Sequence, residues 1–178
     1  LTPAMRQAKE FMSRGELVPD ATVIGLVGEQ LRALDRARGV LFDGFPRTTP
    51  QAEALDRMLA EIRMPLDAVL NYDLERDVLI QRLSGRRTCL QCGASFHVLN
   101  RPPKVKNLCD NCGGKLIQRN DDQPEAIQVR LETYEKNTRP LIDFYQAGGR
   151  LITISAEGAP EAIADRTLEL LRERIAGS

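Results

Sequence analysis

The chain has 178 residues, 42% of them apolar, with 25 basic side chains against 25 acidic ones. That length suits one ordinary domain with a small insert, and the apolar share excludes wholesale disorder. The balanced charge gives no global field toward a polyanionic partner. No apolar run of about 18 residues marks a membrane span and no secretory signal is read, so a cytoplasmic protein is expected.

TPAMRQAKEFMSRG predicts a helix, with Thr2 as cap, Pro3 in the first turn, Gly15 as stop, and Met5, Ala8 and Met12 on one face. ELVPD breaks it. DATVIGLVGEQLRAL predicts a second helix, with Asp20 as cap and Val23, Val27, Leu31 and Leu34 on one stripe. VLFD, from Val40 to Asp43, predicts a short buried strand. GFPRTTPQ is a loop and QAEALDRMLAEI a helix. DAVLNYD predicts another buried strand, followed by the helix LERDVLIQRLSG. Farther on, DQPEAIQVRLETYEK predicts a helix interrupted near Pro140 and resumed over LIDFYQ. LITIS is a third apolar strand and PEAIADRTLELLRERIAG a closing helix. Strands alternating with helices imply a doubly wound α/β fold, a parallel sheet covered on both faces.

Residues 86–119 break the alternation, being rich in Cys, Gly, Pro and Asn without helical period. Cys89, Cys92, Cys109 and Cys112 stand as C-x2-C-x16-C-x2-C. Disulfides suit small secreted scaffolds; this spacing suits a structural zinc site, which is the preferred reading. Four thiolates close a tetrahedral shell, so the metal is expected to be structural rather than catalytic. Arg86, Arg87, Arg101, Lys104, Lys106, Lys115 and Arg119 face a single acid, Asp110. A four-thiolate zinc site carries about −2, which leaves the insert roughly +4 and open to an anion.

Several residues suit phosphate chemistry. Asp43 ends a predicted strand, where ligands of parallel sheets gather, and suits Mg²⁺ or its waters; the plainer reading is a turn cap. Gly44 and Pro46 make a rigid loop that fixes Arg47, which is either a phosphate ligand or a solvated arginine. Arg82 and Arg86 lie at i and i+4 where the chain enters the insert, and Arg119 and Arg130 lie at or beyond its far end. Guanidiniums do not exchange protons at neutral pH, so their work is positioning and charge stabilisation, the main demands of phosphoryl transfer. Asp121 and Asp122 either cap the next helix or pair with these arginines. His97, the only histidine, is expected in a polar contact with a ligand or the insert's own backbone. The competing function is a zinc-ribbon module that binds nucleic acid without enzymatic activity. It needs stacking aromatics or a broad basic face; the insert holds one aromatic, Phe96, and the flanking α/β part would stay unexplained.

DGFPRTTPQ, GRR at Gly85–Arg87 and RNDDQPEAIQVRL, in this order and at this spacing, resemble adenylate kinase, as do ELVPD and the cysteine insert, which is similar to the zinc-bearing lid of bacterial long forms. The resemblance covers essentially the whole chain and implies a P-loop-type α/β core over 1–85 and 120–178, with an AMP-binding part over about 1–20 and a lid over 86–119. It implies the reaction ATP + AMP ⇌ 2 ADP by in-line transfer under a closing lid, with Mg²⁺ beside ATP, Zn²⁺ in the lid, a monomer, and no nucleic-acid or membrane partner. Glu16, Leu17, Val18 and Gly44 would line the AMP pocket, with Arg47 on its phosphate and Gln51 on its adenine. Arg82, Arg86, Ser95, Phe96 and Gly158 would face ATP. Arg119 and Arg130 would reach from the lid stem to the phosphates, chiefly on the AMP side, Asp43 would sit near Mg²⁺, and Asp121 and Asp122 would serve lid closure. The family's opening strand and Gly-rich loop ending in Gly-Lys do not occur in the sequence. The chain is therefore expected to start partway into the AMP-binding part, to lack a mid-sheet strand, and to be inactive in this form.

Overall fold

A computed structural model of the chain describes Arg6, residues 18–35 and residues 39–176. The expected first helix, Arg6 apart, lies outside the described residues, as do Glu16 and Leu17. The chain divides into two compact units, Leu1–Asn71 with Glu135–Ile152 and Leu171–Ser178, and Tyr72–Tyr134 with Thr153–Leu170.

In the first unit, α1 (Asp20–Arg32) packs on α2 (Thr49–Glu61) through buried Leu31, Leu55 and Leu59, with Val27, Leu34 and Met58 around them. This is the stripe that the helical period predicts, although Val23 is no part of the cluster. A methyl at Gly28 would stand 3.1 Å from the Met58 sulfur, so the small residue sets how closely the helices approach. Asp20 does not cap α1: the cap position is Pro19, and the Asp20 carboxylate instead accepts hydrogen bonds from Thr48 Oγ1 (2.9 Å) and Gln51 Nε2 (2.6 Å). α2 begins two residues before the predicted start because Thr48 caps it, accepting from the Gln51 N–H at 3.3 Å, and Pro50 suits the first turn. α5 (Pro140–Ala147) lays Leu141 and Tyr145 against the fully buried Ala52 of α2.

Val40–Asp43 is not a strand, and Leu41 is 87% exposed. No described segment offers it a ladder of hydrogen bonds, and extended backbone without a partner stays solvated. The strands predicted from DAVLNYD and LITIS are present as β1 (Val69–Asp73) and β5 (Leu151–Ser155), which pair with one another. The Val69 N–H donates to the Arg150 carbonyl and the Ala156 N–H to the Asp73 carbonyl, each at 2.8 Å, so the strands run parallel. β1 is half-buried to exposed rather than buried, since this sheet has two strands among the described residues.

The second unit holds α3 (Arg76–Ser84) and a three-stranded antiparallel sheet of β2 (Arg86–Cys89), β3 (Ser95–His97) and β4 (Leu116–Ile117), with β2 in the middle. Arg86 lies opposite His97 and Cys89 opposite Leu116. A 3-10 turn at Asn120–Asp122 leads into α4 (Pro124–Thr133), capped at Gln123 rather than Asp122. A π-helical stretch at Tyr134–Thr138 stands where the sequence predicts the helix to falter before Pro140. α6 (Pro160–Ala176) closes the described chain. Thr167 on α6 donates to the Ile163 carbonyl at 2.8 Å, which leaves Tyr72 as donor in its 3.1 Å bond to Thr167.

Candidate functional site

In the second unit, only Gly85 separates the end of α3 from the start of β2, and this places Arg86 beside the 3-10 turn. Its guanidinium grips Asp122 with two bonds, Nε to Oδ2 at 2.8 Å and Nη2 to Oδ1 at 2.6 Å. Asp122 is 0% exposed, so this charge pair is largely out of water. Arg130, in the last turn of α4, reaches the same carboxylate at 3.4 Å and the Asp121 carbonyl at 3.0 Å. Arg119 holds the Asp121 carboxylate through Nε and Nη2, both at 2.8 Å. Three of the arginines singled out by sequence therefore converge on two adjacent carboxylates. Arg82 stands apart from them, donating to the Gly158 carbonyl at 3.3 Å. The pairing alternative for Asp121 and Asp122 is the one that the geometry realises.

The electrostatics follow from these contacts. The hydrogen bonds to Asp122 raise the Arg86 guanidinium further above its ordinary range. Desolvation pushes the Asp121 carboxyl up, but the Arg119 hydrogen bonds and charge outweigh it and hold the group below the usual carboxylate range. Arg119 and Arg130 remain about half exposed, at 50% and 43%. Nη1 of Arg119 and Nε and Nη2 of Arg130 have no partner among the described residues, so each arginine is braced by carboxylate and still has donors for an anion. Gln118, which sequence reasoning passed over, joins both ends of the insert: its Nε2 donates to the Ser84 carbonyl (3.1 Å) and to the Asp122 carbonyl (2.8 Å). No sequence signal marks a glutamine for that task.

The four cysteines carry no disulfide, and their sulfur atoms lie within 4.8 Å of one another. Cys89–Cys112 and Cys92–Cys109 are each 3.5 Å apart. A tetrahedral zinc with bonds of about 2.3 Å separates its sulfurs by roughly 3.8 Å, so the set fits such a metal. Cys89 with Cys92, and Cys109 with Cys112, sit in two matched knuckles. Gly93 N–H returns to the Cys89 carbonyl (3.1 Å) and Gly113 N–H to the Cys109 carbonyl (2.8 Å), and both glycines take the left-handed backbone, φ +72° and +70°. The N–H of Cys92 is the largest influence on the Cys89 thiol and draws it down to about 6. Phe96 is buried in the same small core with Cys89, Cys109 and Leu116, with Arg101 6.0 Å from its ring centroid. Ser95 beside it is exposed.

His97 is no part of the thiol cluster. Its ring bonds to backbone, as the sequence reading expects. In the first unit, Arg47 Nε donates to the Gly44 carbonyl at 2.8 Å, and Gly44 has φ +72°. The Arg47 N–H donates to Gln51 Oε1 (2.7 Å), and Gln51 is buried with its other end on Asp20. The Thr138 hydroxyl donates to the Arg47 carbonyl at 2.9 Å. Asp43 is exposed in the same loop, and Val18 is half-buried ahead of α1. Asp20 and Thr138 also escaped the sequence reading, the first because it looks like a helix cap.

The family profile of adenylate kinase matches residues 2–150. The adenylate kinase of Carboxydothermus hydrogenoformans is 52% identical over 162 residues, which is 91% of this chain and 76% of that protein. That of Thermodesulfovibrio yellowstonii is 48% identical over 97% of this chain and 80% of its own length. That of Methanosarcina acetivorans is 49% identical over 83% and 68%. A profile match over most of the chain, with relatives near half identity across it, shows that the chain belongs to the adenylate kinase family, the ATP:AMP phosphotransferases.

Proposed function

We propose that Arg82 and Arg86 bind the polyphosphate of ATP, that Arg47 binds the AMP phosphate, that Arg119 and Arg130 reach the phosphates chiefly on the AMP side, and that the thiol cluster holds a structural Zn²⁺ in a closing lid over residues 86–119. The network of Arg86, Arg119 and Arg130 on Asp121 and Asp122 carries this reading. Carboxylates that hold guanidiniums in place before the ligand arrives reduce the reorganisation that phosphoryl transfer demands. A closing lid that excludes water strengthens each of these charge interactions, and in-line transfer then needs no protein nucleophile.

Within the same reading, Arg82, Ser95, Phe96 and Gly158 lie along ATP, and because the Phe96 side chain is buried its share is a backbone one. Glu16, Leu17, Val18, Gly44 and Gln51 serve AMP. Mg²⁺ bound with ATP neutralises phosphate charge, and Asp43 is the carboxylate suited to its waters. The metal in the lid supports folding: the insert's core is Cys89, Phe96, Cys109 and Leu116, two of them metal ligands, which is too little apolar surface to hold about 34 residues.

The test is titration of the metal-loaded chain with ATP, AMP and a dinucleotide that spans both sites. Arg86→Ala should weaken ATP binding at least tenfold and flatten its salt dependence, with metal content unchanged. Unaltered ATP affinity in that variant removes the arginines from the site. Retention on single-stranded DNA that nucleotides do not displace supports the zinc-ribbon alternative instead.

A further inference from the structure

We propose that His97 is a positioning residue: its neutral imidazole, with the proton on Nε2, straps the turn that follows β3 to the last turn of α3 and holds Arg86 in register with Arg82. The proposal rests on the reading of those arginines as ATP ligands. His97 stands opposite Arg86 in the β2–β3 ladder. Its ring turns back over Gly85, and Nε2 lies 3.2 Å from the Gln81 carbonyl, the residue before Arg82. Nδ1 lies 3.1 Å from the backbone nitrogens of both Leu99 and Asn100.

The partners fix the tautomer. Backbone N–H groups only donate, so Nδ1 is a bare acceptor; a carbonyl only accepts, so Nε2 carries the hydrogen. The Gln81 carbonyl also takes the Gly85 N–H at 3.0 Å, and the Gly85 carbonyl takes the Val98 N–H at 2.9 Å. The residues between Arg82 and Arg86 are thus clamped from the insert side. Gly85 is the space that makes this possible. A methyl there would overlap the ring at Nε2 and Cε1, and swinging the ring away would break all three of its bonds. A histidine solvated on the surface would have no such fit to the backbone.

With one histidine in the chain, a long-range ¹H–¹⁵N spectrum of the ¹⁵N-labelled, metal-loaded protein at pH 8 gives one ring pattern, expected to show protonated Nε2 and bare Nδ1. The opposite tautomer, or an averaged mixture, overturns the proposal. In His97→Ala, amide exchange at Leu99 and Asn100 should rise at least tenfold. The Arg86 Nε–H signal, held on Asp122, should broaden, and ATP binding should fall five- to tenfold while metal content stays the same. Gly85→Ala should reproduce these losses with the histidine intact. His97→Asn returns only the Nδ1-like acceptor, so it should restore slow exchange at Leu99 and Asn100 but leave the Arg86 signal broad. If Arg86→Ala weakens ATP binding while His97→Ala keeps both ATP affinity and the Arg86 signal, the strap is wrong. If Arg86→Ala leaves ATP binding unchanged, the reading of the arginines fails, and the ring tautomer and the Arg86 signal alone decide the strap.

Discussion

Asp122 accepts two bonds from Arg86 and a longer one from Arg130 while being itself out of water. Removing it takes from Arg86 the carboxylate that holds both of its bonds, while Arg130 keeps Asp121 at 3.5 Å. Asp122→Ala should cost about 2 kcal/mol, below the range for a fully buried pair because the Arg86 side chain is 30% exposed. Urea unfolding of the metal-loaded protein measures it, and a loss under 0.5 kcal/mol would mean that water replaces the carboxylate. Tyr145 makes the opposite case. It is 1% exposed, and its hydroxyl has no hydrogen-bond partner among the described residues. Desolvation, followed by the negative charge of Asp56, pushes the phenol up to about 12. The folded state therefore resists ionising this group. Its contribution to stability is complete below pH 10 and declines as pH rises toward 12, which ultraviolet titration alongside unfolding detects. Tyr145→Phe removes an unpaired polar atom and should be neutral or stabilising by about 1 kcal/mol; a clear destabilisation would reveal a partner for the hydroxyl.

At the scale of elements, the three-stranded sheet of the insert depends on the two knuckles that bracket it. Its strands are two to four residues long, and its apolar core includes two of the thiols. Cys89→Ser should lower bound metal well below one per chain and expose the loop between Val98 and Leu108 to protease, while the α1–α2 pair, which shares no residue with that core, keeps its protection. Metal retained with an unchanged melting profile would contradict a four-thiolate site. A chelator added to the unaltered protein should produce the same local loss, because binding free energy at a structural metal site is folding free energy.

Across the whole molecule, the proposed reading puts Arg47, in the first unit, on AMP and Arg82 and Arg86, in the second, on ATP, with Arg119 and Arg130 of the second unit reaching the phosphates chiefly on the AMP side. Each ligand should then raise the melting temperature through its own residues. AMP at about a hundred times its dissociation constant stabilises by roughly 2.7 kcal/mol. Arg47→Ala should abolish the AMP effect and spare that of ATP. Loss of both effects together would show that the two sets of residues do not act separately.

What the sequence determined by itself is what local pattern and covalent spacing encode. The helical period placed α1 and its stripe, the turn residues set off the cysteine insert, and the two C-x2-C pairs marked the four thiols that the fold brings within 4.8 Å of one another. The arginines were legible as a set because guanidinium chemistry admits few uses. The tertiary structure decided which polar partner each residue takes. Asp20 and Asp122 both read as helix caps, yet Asp20 holds Thr48 and Gln51, and Asp122 holds Arg86. VLFD has the composition of a strand but lacks a described neighbour to pair with. A cap, a strand edge and an ion pair compete for the same donors and acceptors, and which of them wins depends on what residues distant in sequence bring within about 3 Å, which no local window contains.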